Sequence, residues 1–208
     1  MAVKAAKASL STARIEAFSD GVFAIAATLL MLQLELPHLP TDPTDRDLWN
    51  ALGQMAPSYF TFVLSFAVIG RYWLAHHALL HRIRRADGGL AVLNLLLLLT
   101  VVALPFPTEV LGDYGNLAAA AIFYAVSISL IGLMMAVLWR HAVKRKLLYP
   151  DVSRGTIKNS YYRSLSVPVV FLASVPVAAW VSVTAAEVMW AATFFAGVFL
   201  KGDDARTH

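Results

Sequence analysis

Long apolar segments separated by short polar ones constrain this chain more than any other feature of its sequence. Six such segments can be read, at residues 17–36, 48–80, 90–104, 117–139, 165–183 and 188–200. A helix of about 20 apolar residues crosses a bilayer, whereas membrane β-barrels show ~10-residue stretches of alternating polarity. We therefore predict an all-α, polytopic membrane protein with six transmembrane helices, forming a single domain over residues 1–208.

The composition agrees with membrane insertion. Of the 208 residues, 59% are hydrophobic and 14% are charged, and the mean hydropathy is +0.65, whereas ordinary soluble proteins are about a quarter charged. The segment 17–36 is long enough to span the membrane, so we interpret it as a retained first helix and not as a signal peptide. The chain contains no cysteine, which excludes disulfides and thiolate metal sites.

Charged residues sort between the two predicted sides of the membrane. With six spans, every lysine and arginine except Arg46 and Arg71 falls on the side of the N-terminus, which predicts that both termini are cytoplasmic. This placement accounts for the net charge of +4 without nucleic-acid binding. On the opposite side, Glu35 would help to attract cations to an entrance. The loop acids between Asp42 and Asp47 could equally be solvated residues with no role in conduction.

The first predicted helix carries one narrow stripe of residues. At 100° per residue, one side of the helix presents Arg14, Phe18, Gly21, Ile25, Thr28, Leu32 and Glu35. If several copies met around an axis, Ile25 and Leu32 would form hydrophobic rings with a ring of Thr28 hydroxyls between them. Such rings can gate an ion pathway and replace part of the hydration of an ion. Ordinary packing of a membrane helix would produce a similar stripe, so the stripe alone leaves both readings open.

Ser19 and Asp20 place polar groups at the foot of the same helix. A carboxylate in that position must be solvated or find partners. The candidate partners for Asp20 are Arg14 of a neighbouring element, His76 or His77 in the second span, and Asn94 in the third. We interpret the cluster as a structural network that fixes the helix in place.

The residues of this cluster also carry a resemblance to a known family. Arg14-x-x-x-Phe18-Ser19-Asp20-Gly21, followed by Val-Phe-Ala-Ile-Ala-Ala-Thr28, resembles the first-helix signature of the transmembrane protein 175 family, the endolysosomal and prokaryotic potassium channels. Further similar motifs are Trp73-Leu-Ala-His76-His77, Asn94-Leu95 and Pro105-Phe106-x-Thr108. These motifs cover the first three spans, and the last three resemble the family in layout only.

The resemblance implies a six-helix subunit of the single-repeat prokaryotic type, in which the first helices of a homotetramer line a central pore. Ile25 would form the constriction and Thr28, one turn later, would contribute to selectivity. The permeant ion would be potassium and no cofactor is implied. The expected location is the prokaryotic plasma membrane, in contact with lipid.

Other functions have less support in the sequence. There is no Gly-rich phosphate loop and no nucleophile with a plausible base, so we predict that the protein is not an enzyme. His77 and His81 stand at i, i+4, but no third ligand stands near them in sequence, and we predict no metal site. A proton-conducting pore or a secondary transporter remains the alternative. Transporters usually show paired interrupted helices, whereas here only the fifth span is interrupted, by Pro168 and Pro176.

Overall fold

The computed structural model describes residues 11–35 and 37–199, with side chains up to residue 193 in the last helix. Its elements are α1 (Thr12–Leu29), a 3-10 turn (Leu30–Gln33), α2 (Asp45–Gln54), α3 (Ala56–Leu80), α4 (Gly88–Val102), α5 (Pro105–Tyr114), α6 (Ala118–Lys144), α7 (Arg154–Trp180) and α8 (Val183–Phe199). The described part of the chain contains no strand, which confirms the all-α prediction. The predicted span ends at Leu36 and Leu200, and the terminal charges Lys4, Lys7, Lys201 and Arg206, lie outside the described residues.

Within the described residues, five stretches are long and apolar enough to cross a membrane. They are Thr12–Gln33, Ala56–Leu80, Gly88–Tyr114, Ala118–Lys144 and Arg154–Trp180. Helix α8, with 17 residues, lies at the short end of the range for spanning helices and occupies the place of the predicted sixth span. The six predicted helices therefore correspond to these five stretches and α8.

The predicted second span, 48–80, is divided in the structure. Helix α2 ends at Gln54 and α3 begins at Ala56, with Met55 between them. Pro57 explains the break, because it has no N–H to donate to the carbonyl of Gly53 and its ring would clash there in a continuous helix. Only α3 is a candidate membrane helix, and α2 is a short helix that precedes it.

The predicted end of the third span also needs correction. Residues 105–114, expected to lie in a loop, form helix α5, which continues α4 as one candidate membrane stretch. Pro105 and Pro107 stand in the first turn of α5, where the N–H groups have no intrahelical partner and proline is tolerated. The third span is therefore interrupted, whereas the fifth, expected to be interrupted at Pro168 and Pro176, forms the continuous helix α7. Glu187, expected in a turn, lies inside α8.

Helix α6 lies at the centre of the fold and packs against α3, α4, α5, α7 and α8. Its buried Tyr124 and Trp139 are among the largest fully buried side chains, together with Phe171 of α7 and Trp190 of α8. Helix α1 packs mainly against α3 and α4. One face of α1 is thus covered by the subunit, while the other remains at its surface.

Candidate functional site

Helix α1 begins at a well-defined cap and has one buried face. The Ser11 hydroxyl accepts a hydrogen bond from the Arg14 N–H (3.3 Å), which satisfies one of the free donors of the first turn. From Ile15 onward, buried side chains recur every three or four residues. In α1 and the following 3-10 turn they are Ile15, Ser19, Phe23, Ala26 and Leu30. This spacing of three and four residues places them on the face that contacts α3 and α4.

A directional chain of hydrogen bonds crosses this buried face. Because the Asn94 Oδ1 atom can only accept, the His76 Nε2–H donates to it (2.7 Å). The Asn94 Nδ2–H donates to the Ser19 hydroxyl (3.0 Å), which in turn donates to the Ile15 carbonyl (2.7 Å). Ser19, His76 and Asn94 are all buried. The chain joins α1, α3 and α4 through groups that would be costly to leave unpaired.

Helix α4 is itself anchored at its first turn, which positions Asn94. The Asp87 Oδ1 atom accepts hydrogen bonds from the Leu90 N–H (2.7 Å) and from His141 Nε2 (2.9 Å), while its Oδ2 accepts one from Arg145 Nε (3.3 Å). Partial burial opposes ionisation of this carboxyl, but the three hydrogen bonds together outweigh it and lower the pKa of Asp87 to about 2.

Asp20 does not join the Ser19 chain. Its Oδ1 atom accepts a hydrogen bond from the indole Nε1–H of Trp73 (2.8 Å), so its partner is none of the residues expected from the sequence. Trp73 precedes His77 by four residues on α3, and Asp20 follows Glu16 by four residues on α1. Glu16 Oε1 lies 3.0 Å from His77 Nδ1, so two pairs of side chains face each other across these helices.

The remaining residues of the predicted network lie elsewhere. Phe18 is exposed, and so is Arg14. No carboxylate within the described ranges lies within 4.0 Å of the Arg14 guanidinium group. His77 contacts Glu16 and His81 instead of Asn94. The structure therefore brings Ser19 and Asn94 together and separates Arg14, Phe18 and His77 from them.

The opposite face of α1 is exposed along its whole length. All seven residues of the stripe identified in the sequence are exposed, namely Arg14, Phe18, Gly21, Ile25, Thr28, Leu32 and Glu35. Ile25 is 59% exposed and Leu32 is 74% exposed, although both are large apolar side chains. Such a surface suits contact with lipid or with further copies of the chain.

Thr28 lies between the two apolar side chains. Its hydroxyl donates a hydrogen bond to the Ile25 carbonyl (2.9 Å), which occupies the hydroxyl proton. The Thr28 oxygen atom is thereby left with lone pairs directed away from that bond. An exposed oxygen without a competing proton is suited to contact a cation.

One acidic residue of the loop after α1, Asp47, has a structural role. Asp47 Oδ2 accepts hydrogen bonds from the Thr44 hydroxyl (2.6 Å) and N–H (2.9 Å), and the Asp47 N–H donates to the Thr44 hydroxyl. This capping box starts α2, and the hydrogen bonds from Thr44 lower the pKa of Asp47. Asp47 therefore acts as a helix cap, whereas Glu35 is exposed at the end of the stripe.

Three contributors are missing from the network predicted from the sequence. They are Glu16 and Trp73, which make polar contacts between α1 and α3, and His76, which joins α3 to α4. One signal could have identified the first two, since Glu16 and Asp20 are four residues apart, as are Trp73 and His77. Residues at this spacing share a face in each helix, so the two pairs can meet if the helices pack side by side.

Comparison with known proteins places this architecture in a family. Residues 14–105 match the family model described as endosomal/lysosomal potassium channel TMEM175. A potassium channel of Streptomyces collinus is 41% identical over 141 residues, covering 65% of this chain and 66% of that protein. A mouse protein named endosomal/lysosomal proton channel TMEM175 is 43% identical over 104 residues, covering 47% of this chain and 21% of that protein. The matched stretch thus spans just under two thirds of the bacterial channel and a fifth of the mouse channel.

A solved structure extends the likeness to nearly the whole chain. The crystal structure of a lysosomal potassium-selective channel TMEM175 homolog from Chamaesiphon minutus superposes with a TM-score of 0.77 at 30% sequence identity. The superposition covers 92% of this chain and 98% of that one. This chain belongs to the TMEM175 family, which is a family of membrane channels and not of enzymes.

Proposed function

We propose that this chain is one subunit of a passive, potassium-permeable cation channel, in which α1 of each copy lines the pore and Ile25 forms a hydrophobic constriction. The observation that carries the proposal is the exposed line of Ile25, Thr28 and Leu32 on a helix whose other face is buried. In a membrane such a line meets either lipid or other copies. Arg14 and Glu35 at its two ends favour a wet or protein-lined surface over lipid.

The packing of the subunit supports a pore between copies over a pore through one chain. The centre of the described helices is filled by large side chains, including Tyr124, Trp139 and Phe171. The buried hydroxyls of Ser65, Thr108 and Tyr124 hydrogen-bond to one another (2.8 and 2.9 Å), so they serve packing. In a homotetramer, each copy would contribute one six-helix channel domain, and the four α1 helices would surround a central axis.

The chemistry of the stripe suits cation passage. Rings of Ile25 and Leu32 would form apolar constrictions, which can gate by dewetting. The Thr28 oxygens between them would replace part of the hydration shell of a potassium ion. Glu35, on the outer side, would raise the local cation concentration. No cofactor takes part in this scheme.

Topology follows from the basic residues. Arg82, Arg84 and Arg85 between α3 and α4, and the basic segment that begins at Arg140, would lie on the cytoplasmic side with both termini. We infer the prokaryotic plasma membrane as the location, because the Streptomyces and Chamaesiphon relatives are bacterial. Membrane lipid would cover the remaining apolar surface.

Proton conduction is a second candidate, because the mouse relative is named a proton channel. A secondary transporter has less support. The break between α4 and α5 is packed by buried Leu104, Pro105, Pro107 and Thr108, whereas discontinuous transporter helices expose free backbone groups to a substrate cavity.

Flux into liposomes tests the proposal. Purified protein is reconstituted, and potassium, sodium and proton fluxes are compared for the parent, Ile25→Asn and Val169→Asn. Val169 on α7 is 62% exposed and lies on a helix that does not pack closely against α1, so it is the matched control. We expect non-saturating potassium flux in the parent, increased flux and reduced potassium-over-sodium preference in Ile25→Asn, and parental behaviour in Val169→Asn.

Two results would contradict the proposal. Saturable potassium uptake coupled to another gradient would indicate a transporter. Parental conductance and selectivity in an Ile25→Asn protein that assembles normally would show that Ile25 is not the constriction. A proton flux that exceeds the potassium flux at equal driving force would favour the second candidate.

A further inference from the structure

Two histidines and a glutamate come together at the foot of α1. His77 and His81, one turn apart on α3, present their Nε2 atoms to each other at 3.1 Å. Glu16 of α1 completes the group, with its Oε1 atom 3.0 Å from His77 Nδ1 and 3.5 Å from His81 Nε2. The third ligand that the sequence did not reveal is therefore supplied by another helix.

Hydrogen bonding alone does not satisfy this group. The Nδ1 atom of His77 is buried and makes no aligned hydrogen bond with any described residue, although Glu16 Oε1 is close to it. The Nε2 atoms of His77 and His81 face each other, so only one of them can carry a proton in that contact. Within the described ranges, no lysine or arginine nitrogen lies within 4.0 Å of the Glu16 carboxylate. A cation bound between Glu16, one nitrogen of His77 and His81 would neutralise the carboxylate and give the two imidazoles a common partner.

The geometry points to a binding site for a divalent metal ion of the Zn²⁺ class, held by Glu16, His77 and His81. Imidazole and carboxylate are common Zn²⁺ ligands at about 2.0–2.2 Å, and tetrahedral coordination separates such ligand atoms by about 3.3 Å. One ligand atom from each of the three residues lies within 4.8 Å of the other two, close enough for small side-chain rotations to reach that separation. Histidines at i, i+4 on one helix face are a recurrent metal-binding pair. Water would complete the coordination, because His81 is exposed to solvent.

The ligand types select against the abundant hard cations. Mg²⁺ prefers six oxygen ligands in octahedral geometry, which two imidazoles cannot provide. The site would therefore discriminate by chemistry between Zn²⁺ and Mg²⁺. Because the ligands belong to α1 and α3, a bound ion would tie the two helices together one turn below the hydrogen bond between Trp73 and Asp20.

Calorimetric titration of tag-free, chelator-treated protein with ZnCl₂ tests this site. We expect one Zn²⁺ per chain for the parent, with the same stoichiometry and affinity when excess MgCl₂ is present. Glu16→Gln and His81→Ala should each weaken binding by at least about ten-fold, the size of change that even indirect alterations of metal sites produce. His38→Gln is the matched control, because His38 is exposed in the loop after α1, and it should bind as the parent does.

A second measurement separates binding from folding. Zn²⁺ should raise the Tm of the parent and of His38→Gln, because a ligand stabilises the state that binds it, and at the same concentration should raise the Tm of Glu16→Gln and His81→Ala by less. Both substituted side chains lie at the surface or near it, so these variants should fold. Absence of saturable Zn²⁺ binding to the parent, or parental affinity in both variants, would overturn the proposal.

Discussion

The two faces of α1 differ in the contacts that their residues make within the chain. The buried face contains Ser19 and Phe23, which are fixed by hydrogen bonds and packing within a single chain. The exposed face contains Ile25, Thr28 and Leu32, which contact little within the chain. This difference indicates that the family signature and the proposed conduction path occupy separate parts of one helix. The signature orients the helix, and the residues that would handle the ion point the other way.

Two phenylalanines on α1 provide the strongest test of this contrast. Phe23 is 2% exposed and Phe18 is 57% exposed. Phe23→Ala should cost about 3–5 kcal/mol of stability, because it leaves a cavity against α3 and α4. Phe18→Ala removes the same ring from the surface and should cost far less. Thermal or denaturant unfolding in detergent, followed by circular dichroism, measures both. Equal losses would show that the two faces are not distinct.

The hydrogen-bond chain provides the next test. Asn94→Leu has a similar volume but removes the acceptor of His76 Nε2–H and the donor to Ser19. We expect a loss of about 2–3 kcal/mol, because buried polar groups are left without partners. Thr100→Val, on the same helix, is the control, since among the described residues the Thr100 hydroxyl bonds only to the Leu97 carbonyl of its own helix. A stable Asn94→Leu protein would mean that the buried face is held by packing alone.

The cap of α4 should make the buried face sensitive to acid. The pKa of Asp87 is lowered to about 2 in the folded protein, from about 3.9 in an unfolded chain. Its stabilising contribution is therefore fully present above about pH 4 and is lost as the pH falls towards 2. Asp87→Asn should lower stability at pH 7 by about 1–2 kcal/mol and flatten the dependence on pH between 4 and 2. The same loss at pH 7 and pH 2 would contradict this assignment.

Removal of the Trp73 indole should have the smallest effect on stability. Trp73→Phe removes the hydrogen bond to Asp20 while keeping an aromatic ring, and we expect a loss of about 1 kcal/mol or less, since both groups retain access to solvent. Ion flux should keep its parental selectivity, because Asp20 lies off the exposed stripe. Altered selectivity in a stable Trp73→Phe protein would instead place Asp20 in the conduction path.

Much of this architecture was predictable because it depends on residues close in sequence. Apolar segment length predicts the helices, and 100° per residue predicts that Ile25, Thr28 and Leu32 share one line. The helix break at Pro57 was predictable in principle, because Asn50 and Gln54 interrupt the apolar pattern before it, although residues 48–80 are predicted as one span. Pro105 was interpreted as an end, although proline also suits the start of a helix.

The contacts between helices were less predictable. Asp20 could have paired with several residues, and its bond to Trp73 depends on the offset between α1 and α3, which no local pattern specifies. Glu16 is a partner of His77 and His81 only because α1 and α3 pack side by side. The sequence supplies the residue types for such sites, and tertiary packing decides which of them meet.

We propose that the exposed face of α1 lines the ion path, and the lack of cysteine in the chain permits a direct test. Ile25→Cys and Val169→Cys introduce single thiols at side chains of similar exposure, 59% and 62%, on α1 and α7. Each protein is reconstituted, and potassium flux is measured before and after a small cationic methanethiosulfonate reagent is added. We predict that modification changes the flux through Ile25→Cys and leaves Val169→Cys unaffected. Unchanged flux through Ile25→Cys, with mass spectrometry showing complete modification of that thiol, would contradict the claim.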